Sequence, residues 1–241
     1  MSLAAIWGPP GSGKTTLAID LAIALSKSGN SVCLISPEPF SEMSTLLNIK
    51  ITKQQSIEAA YRATGNLKQI VCKVDGLLFV LAAPYYTDAF DETASASEVK
   101  NLLDEARGTF DSVIVDCPAH THNAMAAWAL NMADTVLLLT GFRSSSGLWN
   151  RAYQRAIKEL DGKAVAVCVQ GSDSFDYRAL HRLIELTPAV WVPFYPDAEP
   201  VRRIRRSLYD SGGKVGKSYN AAIDEICAEL RKEDDREYQF V

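Results

Sequence analysis

Residues 3–17 read LAAIWGPPGSGKTTL: a short apolar run, a turn dense in glycine and proline, and the opening of a helix. The middle nine, Gly8, Pro9, Pro10, Gly11, Ser12, Gly13, Lys14, Thr15 and Thr16, satisfy the pattern GxxxxGK[ST] in the context of strand, loop and helix that gives it meaning. Small residues let backbone N–H groups converge on phosphate oxygens, and the following helix presents its positive end to them. Lys14 adds a point charge for the outer phosphates, and Thr15 a hydroxyl for Mg²⁺. A plain turn does not account for Lys followed by Thr at a helix start, where neither serves packing. ATP or ADP with Mg²⁺ is the ligand this chemistry predicts.

A bound metal needs an acid beside the loop, and FDSVIVDCP at residues 110–118 places Asp116 at the C-terminal edge of an apolar strand. Ligands of open α/β sheets collect at the carboxyl ends of strands, so Asp116 and the residue 8–16 loop share a rim if their strands are neighbours. Apolar runs rich in Val, Ile and Leu predict strands near residues 3–7, 31–36, 77–82, 112–116, 135–140, 164–170 and 190–194. Helix-period segments separate them. Leu17, Leu21 and Leu25 form one stripe that ends at Gly29, a left-handed helix stop. Ser95 with Glu98 makes a capping box ahead of Val99, Leu102, Leu103 and Ala106. A last helix over about residues 219–232 carries Ile223, Ile226, Cys227 and Leu230. Residues 37–73 are helical in pattern and contain no linker, so residues 1–241 read as a single α/β domain.

Bulk properties narrow the classes. The chain is 47% hydrophobic and 22% charged with a net charge of −4, so nucleic-acid contact would require a local basic patch. Cys33, Cys72, Cys117, Cys168 and Cys227 share no CxxC spacing and mostly sit in apolar runs, which predicts reduced core thiols and a cytoplasmic setting. No apolar stretch approaches the ~20 residues that span a bilayer.

Several segments together resemble the ParA/MinD group of P-loop ATPases. They are GPPGSGKTTLAIDLAIALSKSGNSVCLIS with SPEPFSEMSTLLNI, then GLLFVLAAP, FDSVIVDCPA, ADTVLLLT, AVAVCVQ and WVPFYPDAEPVRRIRRSLYDSGGKV. GLLFVLAAP and the acidic stretch after it are most similar to the TadZ/CpaE pilus-assembly branch. The resemblance implies a P-loop NTPase fold, a mostly parallel twisted sheet of about seven strands flanked by helices. It also implies a switch ATPase that organises a cellular machine or DNA through nucleotide-dependent partner binding or self-dimerisation. It makes Lys14, Glu38 and Asp116 the catalytic group, with Glu38 orienting water and Thr15 and Asp116 on the metal. Gln170, Pro196 and Asp197 fall where the family borders the base.

The departures bear on turnover. The signature lysine at the second loop position, which in the family reaches the other subunit's nucleotide, is Pro9 here, and Ser36 and Glu38 replace two switch aspartates. Slow ATP hydrolysis is the expectation, since phosphoryl transfer rests on positioned charge. Arg202, Arg203, Arg205 and Arg206 form the densest cationic cluster, which reads either as a solvated helix face or as a nonspecific DNA or acidic-partner contact that Arg143 and Arg151 could join. RKEDDREYQFV at residues 231–241 carries more acids than bases and predicts no autonomous membrane anchor. His120 and His122 read as loop histidines or as neighbours of the nucleotide. Two other readings stand beside the switch: a small-molecule kinase or other metabolic P-loop enzyme, and a nucleotide-binding scaffold with little hydrolysis.

Overall fold

The computed structural model describes residues 1–39, 41–63, 65–84, 94–160, 162–196, 198, 207–209 and 211–237. Its strands are β1 (Ser2–Trp7), β2 (Val32–Ile35), β3 (Cys72–Asp75), β4 (Leu78–Leu81), β5 (Ser112–Asp116), β6 (Thr135–Leu139), β7 (Ala164–Val169) and β8 (Val190–Val192). Its helices begin with α1 (Lys14–Lys27), α2 (Met43–Leu46), α3 (Ile57–Arg62), α4 (Leu67–Ile70) and α5 (Ala96–Thr109). They continue with α6 (Ala124–Met132), α7 (Ser144–Ala152), α8 (Gln154–Glu159), α9 (Tyr177–Ile184) and α10 (Gly213–Glu237).

One sheet holds all eight strands in the order β3-β4-β2-β5-β1-β6-β7-β8, parallel throughout except at β3. β1 is central because every residue from Leu3 to Trp7 is apolar and both of its edges are paired. Alternation along it feeds two cores. Ala4 and Ile6 face the layer of α1 and α10, while Leu3, Ala5 and Trp7 face the layer of α5, α6 and α7. Each large side chain buried this way contributes about 1.5–3 kcal/mol. Short strands with both faces covered are the physical reason that apolar runs, rather than alternating ones, mark this sheet.

The local signals act as expected at two helices. α1 ends where Gly29 turns left-handed (φ 96), which lets the Asn30 N–H donate to the Leu25 carbonyl at 3.2 Å. At α5 the Glu98 N–H donates to Ser95 Oγ at 3.3 Å and the Ser95 N–H to Glu98 Oε2 at 2.7 Å, a complete capping box. Residues 37–73 resolve into three short helices and one 3₁₀ turn, Lys53–Gln55. The sheet departs from seven strands by the antiparallel edge β3, and α10 starts earlier than its apolar stripe. No helix among the described residues is long and apolar enough to cross a membrane. The five cysteines are free and buried.

A polar anchor ties α1 to the far end of the chain. Asp20, 1% exposed, accepts from the Tyr219 hydroxyl at 2.7 Å, from the Leu208 and Tyr209 N–H groups at 3.1 and 3.4 Å, and from the Ser207 hydroxyl. A buried carboxylate is tolerated only when its lone pairs are filled in this way. Asp20→Ala, which strands several buried donors, is expected to lower unfolding free energy by about 2–4 kcal/mol. Urea titration checks this, and a loss below about 0.5 kcal/mol would show that water serves the stranded donors instead.

Candidate nucleotide-binding site

The rim predicted at the strand ends exists because β1 lies between β5 and β6. Ile6 is in register with Asp116, and Trp7 with Leu138, so the segments leaving all three strands emerge side by side. The Cys117 N–H donates to the Ile6 carbonyl at 3.0 Å and carries the pairing one residue past Asp116.

The loop between β1 and α1 is shaped by close approach. A Cβ on Gly8 would stand 2.7 Å from the Leu139 carbonyl oxygen, so only glycine lets the chain turn there. Gly13 (φ 92) caps α1 with no side-chain acceptor, which leaves the amides at the helix start free of a side-chain partner. Lys14 folds over its own loop, donating from Nζ to the Gly8 and Pro9 carbonyls at 3.3 and 3.1 Å.

Thr15 Oγ1 donates to Asp116 Oδ2 at 2.8 Å, across the rim. Asp116 is 3% exposed, and its Oδ1 is buried with no hydrogen-bond partner among the described residues, as is Ser12 Oγ. Burial pushes the Asp116 carboxyl up to about 6, against the Thr15 hydrogen bond and the Lys14 charge, with Glu38 and Glu42 adding to the rise. Lys14 is held below the usual lysine range by burial, partly offset by Asp116 and Glu38. Glu38 itself is exposed, at a position whose charge reaches both Lys14 and Asp116. An orphaned carboxylate oxygen beside a threonine hydroxyl, a helix N-terminus and a glycine-lined turn fit a Mg²⁺-bound polyphosphate.

Next to Gly13 and Thr16 opens a largely apolar cavity of about 200 Å³, walled by Phe142, Gln170, Tyr195 and Tyr219. Gln170 is at the end of β7, its N–H donating to the Val192 carbonyl at 2.9 Å. The Phe142 ring lies so close over Gly171 that a Cβ there would collide with it. Tyr219 is held by Asp20. Of the residues expected at the base, Gln170 lines this cavity, whereas exposed Pro196 does not. Asp197 lies outside the described residues, and so do Arg202, Arg203, Arg205 and Arg206. Phe142, Tyr195 and Tyr219 went unseen in the sequence because they converge from remote segments without a motif.

The segment after Asp116 is braced from the other layer. Trp149 Nε1 donates to the Ala119 carbonyl at 3.0 Å, and its ring packs edge-on against Trp7 at 4.7 Å. His120 and His122 are exposed. Nδ1 of His120 is 3.3 Å from the Tyr153 hydroxyl, and neither histidine lines the cavity.

A parallel sheet with a glycine-built phosphate loop and an acid across the rim defines a P-loop nucleotide-binding protein. A family model described as an AAA domain matches residues 6–158. The chain is also 28% identical over 138 residues to the septum site-determining protein MinD of Bacillus subtilis (strain 168), a match covering 55% of this chain and 50% of that one. It thus spans about half the length of the curated relatives it matches. Among solved structures it superposes on a ParA family ATPase from Chlorobium tepidum TLS with a TM-score of 0.77 at 16% identity, covering 95% of this chain and 100% of that chain. On MinD of Pyrococcus horikoshii OT3, complexed with Mg-ADP, the TM-score is 0.73 at 16% identity, covering 94% and 96%. The protein belongs to the ParA/MinD family of P-loop ATPases.

The raised Asp116 carboxyl generates a pH dependence with a definite sign. The folded group takes up its proton near pH 6 and the unfolded one near 3.8, so between these values the folded state binds more protons. Stability of the metal-free protein therefore falls as pH rises through that window, by about 2–3 kcal/mol in all. Asp116→Asn is expected to melt above the parent at pH 7 in chelator, with the gap closing toward pH 4.5. A gap that stays constant with pH would contradict the buried, unpaired carboxylate as its cause.

Proposed function

We propose that the chain is a Mg·ATP-dependent switch that hydrolyses ATP slowly and presents a nucleotide-controlled surface to a protein partner or a second copy of itself, thereby organising a larger assembly. The observation that carries this reading is the Thr15–Asp116 bond at 2.8 Å with the second Asp116 oxygen unpartnered, directly beside the Gly8-to-Lys14 loop. Gly8, Pro9, Pro10, Gly11, Ser12, Gly13, Lys14, Thr15 and Thr16 would wrap the phosphates, with Lys14 moving from the loop carbonyls it now caps. Thr15 and Asp116 would hold Mg²⁺, whose charge neutralises that developing on the transferred phosphoryl group. The base would enter the 200 Å³ cavity beside Gln170, with aromatic walls suited to a planar ring.

Glu38 is the group we assign to orienting the attacking water. Being exposed and two residues past the buried Ser36, it sits on a segment that nucleotide can reorder, so catalysis and partner contact would change together. Family membership favours this switch over the small-molecule kinase reading. The scaffold reading differs only in the weight carried by Glu38.

Lys14→Ala is expected to weaken Mg·ATP binding by about 10–100-fold in calorimetry, the loss of a charge-assisted contact to phosphate. Glu38→Ala is expected to keep binding and lose turnover in single-turnover phosphate release. Binding of neither ATP nor ADP by the parent at millimolar concentration would end the proposal. Unchanged turnover in Glu38→Ala would remove Glu38 from it.

A further inference from the structure

Position 9 brings no charge to the phosphate loop, yet a cation lies against that loop from elsewhere in the chain. The guanidinium of Arg143 rests on Gly11: a Cβ built there would stand 3.1 Å from its Cζ and 3.2 Å from Nη2. Gly11, at φ 66, is left-handed and bare at this point, so the approach depends on glycine.

The contact is built from the backbone up. β6 runs beside β1, so the segment that leaves β6 at Leu139 passes directly over the loop that leaves β1. Pro9 packs on that segment, since a Cβ on Gly141 would be 3.2 Å from Pro9 Cγ and would collide with Ser146. Two residues on, the Arg143 N–H donates to Ser146 Oγ at 3.3 Å, and the Ser146 N–H to the Arg143 carbonyl at 2.9 Å. These bonds fix the start of α7 and leave the Arg143 side chain exposed over Gly11.

An exposed arginine usually rests on whatever surface is nearest. Two facts set this one apart. Among the described residues no carboxylate lies within ion-pair distance of it. And it touches the backbone of the one segment shaped for phosphate, where a planar fork of N–H donors matches paired phosphate oxygens better than an ammonium does.

We infer that Arg143 is a phosphate-contacting residue supplied in cis, lying over Gly11 to bind the polyphosphate and favour ATP over ADP. The inference rests on the nucleotide-binding reading above and adds a residue to it. Pro9 then has a task of its own: it seats the segment that delivers the cation. The preference for ATP follows from charge, since the added phosphate brings further negative charge to a cation with no carboxylate partner among the described residues.

The test compares parent, Arg143→Ala and Arg143→Lys with Mg²⁺ plus either ADP or a non-hydrolysable ATP analogue, by calorimetry, with melting curves to show that each variant folds. Arg143→Ala is expected to weaken analogue binding about tenfold or more and ADP binding about threefold or less, with Arg143→Lys between it and the parent. An unchanged ratio of analogue to ADP affinity would overturn the inference, even if both affinities dropped. Mixing Arg143→Ala with Lys14→Ala separates cis from trans. No recovery of phosphate release is expected, and recovery would mean that the arginine serves another subunit. Parent protein that binds neither nucleotide would defeat the underlying reading, an outcome distinct from normal parent binding with an indifferent Arg143 variant.

Discussion

The pairing of β1 with β5 on one side and β6 on the other constrains the rest of the molecule. Because the strands run parallel, three chain segments leave the sheet at the same end: the phosphate loop, the segment beginning at Asp116, and the segment carrying Phe142 and Arg143. A register slip of one residue would turn Asp116 to the opposite face and remove it from Thr15. The apolar residues of β1 resist such a slip, since Ala4 and Ile6 would exchange cores with Leu3, Ala5 and Trp7. The hydrophobic pattern that folds the sheet thus also aligns its polar rim.

That rim opposes stability locally. Asp116 is buried at a strand end with one oxygen unpaired, Lys14 is half-buried against loop carbonyls, and the glycines at 8, 11 and 13 bring no side chains to pack. Such features are retained where function requires them and are offset elsewhere. Two anchors supply the offset here. Trp7, Trp149 and Tyr153 interlock beneath the loop, and Asp20 collects donors from residues 207–219. The aromatic cluster braces the segment after Asp116 through Ala119, and the Asp20 anchor holds Tyr219 at the cavity wall. These two supports hold the loop and the cavity wall in place from opposite sides of the sheet.

How much of this could be read from the sequence follows from the range of each interaction. The phosphate loop, the Gly29 stop and the Ser95–Glu98 box are local, decided within a few residues, and each is legible. Asp116 was legible because strand burial and a terminal acid coincide. β3 was not, because CKVD is a short edge half open to solvent with a register shift at Lys73/Asp75, and it shows no apolar run. The early start of α10 was hidden by Gly213 and Gly216, which argue against helix by propensity but are overridden by packing of the apolar stripe that follows. The cavity was the least legible part: its walls come from six separated stretches of chain and share no spacing, so only the assembled fold could reveal Phe142 and Tyr219.

The same reasoning applies to Pro9. On the family resemblance a proline there reads as a loss, the removal of a cation. In the fold it is a contact. A proline at the second loop position cannot donate a hydrogen bond and holds φ near −65°, so it stiffens the turn and offers a flat apolar ring to the neighbouring segment. Gly141 accepts that ring because it has no side chain of its own. A flexible lysine at position 9 would gain reach and lose this seat, and the segment from 140 to 143 would then rely on its remaining ties, among them the Thr140 N–H to the Val167 carbonyl, Asn150 to the Thr140 carbonyl and Arg143 to Ser146. Loss of charge at one position and delivery of charge from another are therefore two consequences of the same packing choice.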